Sequence, residues 1–184
     1  RINYRFIFTD NSNEEIIFKL QRDINGIFDN QPGAGTVGAA GWIGGVFAFV
    51  NTGASGGSYY EFNRNLFNLF DSEDIRYDVC LNESESIIAP DYTSTTNYRA
   101  EDVLLVSKYP GVPGQPLLND HKVFRSAEML LIVAEAKAHN NDLTGAATAI
   151  KMLRDARFGS AQALAVYSSQ QEAFAAILNE RRVE

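Results

Sequence analysis

Residues 124–139, FRSAEMLLIVAEAKAH, carry the pattern that decides the fold of this chain. Apolar residues recur there at the i, i+3, i+4, i+7 spacing of one helical face, made by Ala127, Leu130, Leu131, Ala134 and Ala138. Other apolar residues cover much of the remaining circumference. The pattern therefore predicts a helix over residues 123–139 with apolar neighbours on more than one side.

Charged residues inside this run predict structural ion pairs. Glu128 and Glu135 lie two turns apart, and a buried carboxylate without a partner costs several kcal/mol, roughly. The next helix-patterned segment offers Arg154 and Arg157 as partners, and Arg125 can pair with Glu128 at the i, i+3 spacing. The two glutamates could also be paired catalytic acids, but their apolar setting favours ion pairs.

Three helices are predicted at the end of the chain, over residues 123–139, 144–158 and 169–183. The third begins with a capping box, Ser169-Gln-Gln-Glu172. The first two are joined by a short polar turn, as in a tetratricopeptide-type hairpin. A tetratricopeptide-type scaffold that binds a partner protein or peptide is therefore one functional alternative.

The first 122 residues predict a loop-rich region. Nine of the fourteen glycines fall between Gly33 and Gly57, which indicates a long loop over residues 31–58. Short strands or helix ends are predicted at residues 4–9 and 16–20, and strands at 79–88 and 103–106. Residues 59–70 are predicted to form a helix, and residues 71–76 a charged turn.

Composition excludes several classes of protein. A net charge of -7 and a pI near 4.9 argue against a nucleic-acid partner, which requires a basic face. Cys80 is the only cysteine, so we expect a buried, inert thiol. The longest uncharged apolar run is shorter than the roughly 20 residues of a membrane helix.

Two glycine motifs match catalytic patterns. Residues 33–38, GAGTVG, fit the dinucleotide fingerprint but lack the preceding strand and the following acid, so no cofactor is predicted. Residues 53–57, GASGG, fit the nucleophile elbow G-x-S-x-G, with His121 and His139 downstream. A serine hydrolase that uses Ser55 is therefore a second alternative.

A metal site is not predicted. Asp10, Ser12 and Glu14 alternate as calcium ligands do, but this loop lacks the glycine and the terminal bidentate acid of an EF-hand. The two histidines have no zinc-type spacing to other ligands.

Several motifs together resemble the signature of the SusD/RagB family. They are residues 125–136, Arg154-Asp-Ala-Arg157 and Glu180-Arg181-Arg182. Residues 13–18, Asp74-Ile75-Arg76 and Lys108-Tyr109-Pro110 fall upstream in the order that the family leads one to expect.

The resemblance implies a mainly α fold: a SusD-like α-α superhelix with tetratricopeptide-like helix pairs, long irregular loops and a few short strands. Residues 1–184 would form a single partial domain, loop-rich over 1–122 and tetratricopeptide-like over 123–184. Family members are surface lipoproteins of Bacteroidetes that bind glycans and other nutrients, and they have no enzymatic activity.

The resemblance also implies a location and a partner. The protein would sit on the outer face of the outer membrane, lipid-anchored through an N-terminal region absent from this chain. It would deliver oligosaccharide to a TonB-dependent, SusC-like transporter, which the helical part would face.

Sugar binding requires aromatic faces on exposed loops, with polar groups that reach the hydroxyls. For Trp42 and its neighbours, the alternative is that they belong to the core. The candidate ligand-binding residues are Trp42, Tyr59, Tyr60, Tyr92 and Tyr98.

Overall fold

The structure is a computed structural model that describes residues 2–10, 12–22, 47–55 and 60–184. This part of the chain is mainly α-helical, as predicted. In chain order its elements are α1 (Ile2–Thr9), β1 (Ile16–Leu20), α2 (Thr52–Ser55), α3 (Arg64–Phe67), α4 (Ile75–Cys80), a 3-10 helix (Tyr92–Ser94), α5 (Tyr98–Glu101), β2 (Gly111–Val112), β3 (Gln115–Pro116), β4 (His121–Arg125), α6 (Ser126–His139), α7 (Leu143–Phe158) and α8 (Gln170–Val183).

The three C-terminal helices pack around one core, which confirms the predicted hairpin and its third helix. The α6 helix buries one face, with Ala127, Leu131, Ala134 and Ala138 almost fully enclosed. Its partners in this core are Ala146, Ala149, Ile150 and Leu153 of α7, with Ala173 and Ile177 of α8. Alanines at these positions let the helix axes approach closely, so small side chains decide the packing.

Each of these helices is delimited by its sequence. The α7 helix begins after Asp142, whose carboxylate accepts a hydrogen bond from the Gly145 amide at 2.8 Å, and it ends at Gly159 with φ 66°. Ser169 caps α8 by accepting from the Glu172 amide at 3.2 Å. The Glu172 carboxylate completes the cap through Ser168, one residue earlier than the predicted box.

A second core joins the start of the chain to α4. Tyr4, Ile7 and Phe8 of α1 pack against Val79 and Cys80. Cys80 is buried as predicted, and burial raises the pKa of its thiol.

An antiparallel ladder connects the two cores. β1 pairs with β4, with Ile16 opposite Arg125 and Leu20 opposite His121. The Ser126 amide donates to the Glu15 carbonyl at 2.9 Å where β4 continues directly into α6. Residues 123–125 therefore form a strand, and the first predicted helix begins three residues later than expected.

The predictions for residues 59–88 were largely wrong. Within the described residues of the predicted 59–70 helix, only Arg64–Phe67 is α-helical, because the Phe62 amide instead donates to the Leu104 carbonyl. Residues 75–80 form a helix rather than a charged turn followed by a strand, because the Asp74 side chain caps its first turn. Extended pairing survives only as isolated bridges, such as Leu81 with Val106 and Ile87 with Val103.

The α6 helix is less enclosed than its sequence suggests. Ile132 and Val133 are each 47% exposed on the side away from the core. The described helices include none that is long and apolar enough to cross a membrane.

Candidate functional site

Two aromatic rings form an exposed pair on the loop-rich part of the molecule. Phe47 is 46% exposed and Tyr60 is 53% exposed, and their ring centroids lie 5.3 Å apart. We call these two residues the aromatic pair. Two exposed rings side by side offer an apolar face that a ligand can contact.

The aromatic pair is held by main-chain hydrogen bonds to one central segment. The Phe49 amide donates to the Val106 carbonyl at 2.6 Å, and the Phe62 amide donates to the Leu104 carbonyl at 2.8 Å. Glu61 forms an isolated bridge with Leu105 between these two bonds. Residues 104–106 therefore fix both segments that carry the rings.

A second group of tyrosines lies on the loop of residues 89–102. Tyr98 is 57% exposed, whereas Tyr92 is half-buried. The Arg64 guanidinium lies over the Tyr92 ring at 4.7 Å and over the Phe67 ring at 4.9 Å. Tyr92 therefore packs against a cation on one side, and less of its ring is available to a ligand than that of Tyr98.

Arg64 also anchors the main chain of this loop. It donates to the Ala89 carbonyl at 2.8 Å and forms an ion pair with the buried Asp102 at 3.3 Å. The Asp102 carboxylate in turn accepts from the Ala89 amide at 3.0 Å. These contacts close the loop at its base.

The structure separates the predicted ligand-binding residues into three groups. Tyr60 and Tyr98 are exposed and Tyr92 is half-buried, whereas Trp42 and Tyr59 lie outside the described residues. Phe47 was not among the predicted residues, because the sequence does not separate its ring from its apolar neighbours in the run VFAF. Its neighbours Ala48 and Phe49 are buried, whereas Phe47 is exposed.

Ser55 is not placed as a nucleophile. Its hydroxyl accepts from the Val50 amide at 3.0 Å and donates to the Ala48 carbonyl at 3.5 Å. It ends the single-turn helix α2, and the described residues before that helix form no strand. The hydroxyl thus stabilises a local turn, and the geometry of a nucleophile elbow is lacking. The GAGTVG motif lies outside the described residues.

The candidate calcium ligands form a local turn. Both the amide and the hydroxyl of Ser12 donate to Asp10 Oδ1, at 2.8 and 2.7 Å, and these bonds lower the pKa of Asp10. Among the residues that the structure describes, no cluster of three or more histidine, cysteine or acidic side chains could hold a metal ion.

Glu128 and Glu135 do form ion pairs, but their partner is not one of the three predicted arginines. Glu128 and Glu135 pair with Arg181 of α8, at 3.1 and 2.9 Å. Both glutamates remain partly exposed rather than buried. Arg181 reaches them because α8 packs beside α6, which the sequence pattern of α6 and α7 alone does not reveal.

The three arginines that were predicted as partners have other contacts. Arg154 lies 3.7 Å from Glu180. Arg125 and Arg157 both bind Glu15, at 3.3 and 2.7 Å, and both bind Glu184 at 2.7 Å.

Glu184 is the centre of a buried charge network, which we call the Glu184 hub and which comprises Glu15, Arg76, Arg125, Arg157 and Glu184. Arg76 contributes a third guanidinium contact to the Glu184 carboxylate, at 3.1 Å. Burial would raise the pKa of Glu184, but the hydrogen bonds and charge of Arg157, together with the charges of Arg125 and Arg76, lower it to about 2. The network therefore holds a fully ionised carboxylate between the two cores.

Comparison with known proteins supports this architecture. A sequence model of the SusD family matches residues 114–184. No curated protein sequence matches the chain.

Three solved structures show the same fold. A SusD superfamily protein from Bacteroides fragilis has a TM-score of 0.63 at 20% identity, and the match covers 98% of this chain and 40% of that one. A SusD-like carbohydrate-binding protein from Bacteroides vulgatus has a TM-score of 0.59 at 20% identity, covering 100% and 34%. A surface glycan-binding protein from Bacteroides uniformis has a TM-score of 0.55 at 19% identity, covering 98% and 37%. The chain thus spans about two fifths of the length of these relatives.

Proposed function

We propose that this chain, whose residues 114–184 match the sequence model of the SusD family, is part of a cell-surface protein that binds glycan. The observation that carries the proposal within the chain is the aromatic pair, Phe47 and Tyr60. Its rings are exposed, lie side by side and are fixed by main-chain hydrogen bonds.

Aromatic faces suit sugars because the C–H groups of a pyranose ring are apolar and pack on a π surface, while its hydroxyls remain free for polar partners. Tyr98 offers a third exposed ring on the neighbouring loop of residues 89–102. We assign Tyr60 and Phe47 to the main contact and Tyr98 to a secondary contact. Tyr92 is assigned to support of the loop, and Trp42 and Tyr59 are retained as sequence-based candidates.

The test is retention of soluble polysaccharides in affinity gel electrophoresis, after a glycan array has selected the polysaccharide. Tyr60→Ala is expected to weaken binding at least about tenfold, since the lost ring contact is worth roughly 1.4 kcal/mol. Phe174→Ala is the matched control, because Phe174 is an exposed aromatic residue on α8, away from the loop-rich part that carries the aromatic pair. Equal binding by the wild type and Tyr60→Ala would remove the aromatic pair from the site.

The proposal includes the location and partner that the family implies. The whole protein would be lipid-anchored at the outer membrane and would pass oligosaccharide to a TonB-dependent, SusC-like transporter. Protease shaving of intact cells tests the surface location, and co-purification of a transporter after mild crosslinking tests the partner.

The exposed apolar side chains of α6 and α8 support a protein contact on the helical part. Ile132, Val133 and Leu178 are each about half exposed, so their apolar surface is available to a partner protein. Replacing Ile132 by Asp is expected to reduce crosslinking to the transporter while glycan retention stays unchanged. Unchanged crosslinking would count against the helices as the transporter-facing part.

A further inference from the structure

A cavity lies beside the segment that carries Phe47 of the aromatic pair. It is a cavity of about 320 Å³ between α1, residues 49–50, the end of α4 and the turn of residues 81–84. This volume is at the lower end of the range for small-molecule pockets, about 300–1,000 Å³. The cavity therefore has room for a ligand of monosaccharide size.

The cavity wall is pre-organised by hydrogen bonds. The Asn82 amide group donates from Nδ2 to the Phe49 carbonyl at 2.9 Å, and its main-chain amide donates to the Leu105 carbonyl at 2.9 Å. The Ser84 hydroxyl donates to Asn82 Oδ1 at 3.0 Å. A ligand would find these groups already in place, so little ordering entropy would oppose binding.

Two carboxylates at the cavity retain capacity to accept hydrogen bonds. In the described part of the chain, the Asp78 carboxylate accepts no hydrogen bond and forms no ion pair. Glu83 Oε1 accepts one long bond from the Tyr77 hydroxyl at 3.3 Å. Arg5 supplies the cationic donor, and its Nη2 makes a long hydrogen bond of 3.4 Å to the Asp78 carbonyl.

Apolar residues also line the cavity: Phe8, Phe49 and Leu81, which are themselves buried. A lining that combines apolar and polar groups suits a sugar, which presents C–H groups on one face and hydroxyls at its edge.

Charge selects among sugars. Two acidic residues, Asp78 and Glu83, and one arginine, Arg5, line the cavity, and the whole chain carries a net charge of -7. The acidic lining would repel a carboxylate-bearing sugar, whereas sugar hydroxyls can donate to Asp78 and Glu83.

The cavity and the aromatic pair share one short segment. Phe49 lines the cavity, and Phe47 lies two residues before it, so their Cα atoms are at most about 7 Å apart. An oligosaccharide that contacts the aromatic pair could therefore place a terminal unit in the cavity.

We propose that this cavity is a subsite for one non-acidic monosaccharide unit, with Asp78 as the main hydroxyl acceptor, Arg5 as the cationic donor and Asn82 as part of the pre-organised wall. This inference rests on the proposed glycan-binding function and specifies which sugars that function accepts.

The test is a titration of the purified protein followed by ¹H–¹⁵N NMR at the Asn82 side-chain amide. The neutral probes are D-glucose, D-galactose, D-mannose and N-acetyl-D-glucosamine, and the acidic probes are D-glucuronate and D-galacturonate. At least one neutral sugar is expected to shift the Asn82 signal saturably, and both uronates to bind more than about tenfold more weakly.

The variant Asp78→Asn separates this site from general effects. Asp78 is exposed, so the isosteric change leaves folding intact. It is expected to weaken the neutral sugar about tenfold, because a charge-assisted hydrogen bond becomes a neutral one. In this variant the affinities for neutral sugars and for uronates should also differ less than in the wild type. Glu85→Gln is the matched control, since Glu85 is exposed in the same turn region and does not line the cavity.

The outcomes distinguish this inference from the proposed function. No saturable shift at Asn82, or unchanged affinity in Asp78→Asn, overturns the subsite. If polysaccharide retention still depends on Tyr60 in that case, the glycan-binding function stands without it. Loss of all carbohydrate binding in both assays overturns both proposals.

Discussion

The Glu184 side chain carries a charge that three arginines share. Glu184→Gln keeps the shape but removes this charge, which leaves Arg125 and Arg157 with only Glu15 as a carboxylate partner in the Glu184 hub. Breaking a buried pair costs about 3–5 kcal/mol, so we expect the free energy of unfolding to fall by that amount in urea titrations. Glu85→Gln is the surface control, and it should change the free energy of unfolding by less than about 0.5 kcal/mol.

The low pKa of Glu184 predicts that the stability of the protein depends on pH. Its folded pKa is about 2, below the ordinary value of 4.5, so its contribution to stability is complete above pH 4.5. It is lost as the pH falls from about 4.5 towards about 2, where the carboxylate becomes protonated in the folded state. Urea midpoints measured across this window should fall steeply for the wild type and less for Glu184→Gln. Parallel curves would show that other carboxylates dominate acid unfolding.

At the scale of the element, two opposing effects meet at Gly145 near the start of α7: helix propensity favours alanine there, and capping by Asp142 disfavours it. A Cβ added at Gly145 would lie 2.2 Å from Asp142 Oδ2, so alanine there displaces the capping side chain. Alanine also favours a helix over glycine by about 1 kcal/mol, and loss of a cap costs a similar amount.

The effect of Gly145→Ala on the free energy of unfolding should therefore depend on whether Asp142 is present. In the wild type we expect no gain or a small loss in the free energy of unfolding. In an Asp142→Ala background, where the cap is already absent, the same change should stabilise the protein by about 0.5–1 kcal/mol. Thermal unfolding of the four variants measures this double-mutant cycle. A gain of equal size in both backgrounds would show that the cap is not affected.

How far each element could be predicted depended on the range of its interactions. The helices α6, α7 and α8 follow from local periodicity and capping residues, and their predicted bounds are close to those observed. Residues 59–70 have a helical pattern too, but hydrogen bonds to residues 104–106 draw Phe62 into an extended pairing. The partners of Glu128 and Glu135 were missed for the same reason, because Arg181 lies on a helix distant in sequence.

The aromatic pair shows the same limit at the candidate site. Tyr60 could be selected from its position beside a loop, whereas Phe47 lies in an apolar run whose other described members are buried. A sequence pattern does not indicate which aromatic residue of such a run is exposed. Tertiary pairing of the flanking segments decides it.

At the scale of the whole molecule, the Glu184 hub joins the loop-rich and helical parts that the sequence predicts. Glu15 and Arg76 come from the first part, and Arg125, Arg157 and Glu184 from the second. We propose that residues 1–122 and 123–184 are two parts of one folding unit.

An excised fragment tests this proposal. A fragment of residues 123–184 would lack Glu15 and Arg76 of the Glu184 hub. It would also lack Tyr4, whose ring lies 4.4 Å from the Arg157 guanidinium, so that side of Arg157 would become exposed. Circular dichroism of the fragment is expected to show markedly less helix than the intact chain contains over these residues. A fully helical fragment with a cooperative melt would show that the helical part is an independent domain.

The hydrogen bonds that hold the aromatic pair also affect its local dynamics. Its two rings sit on separate segments, and each segment is tied to residues 104–106 by a main-chain hydrogen bond, at Phe49 and at Phe62. Local opening of either bond would separate the rings, so a ligand that spans both favours the closed state. Bound glycan should therefore slow the hydrogen–deuterium exchange of those two amides together, although both are already bonded to main-chain carbonyls.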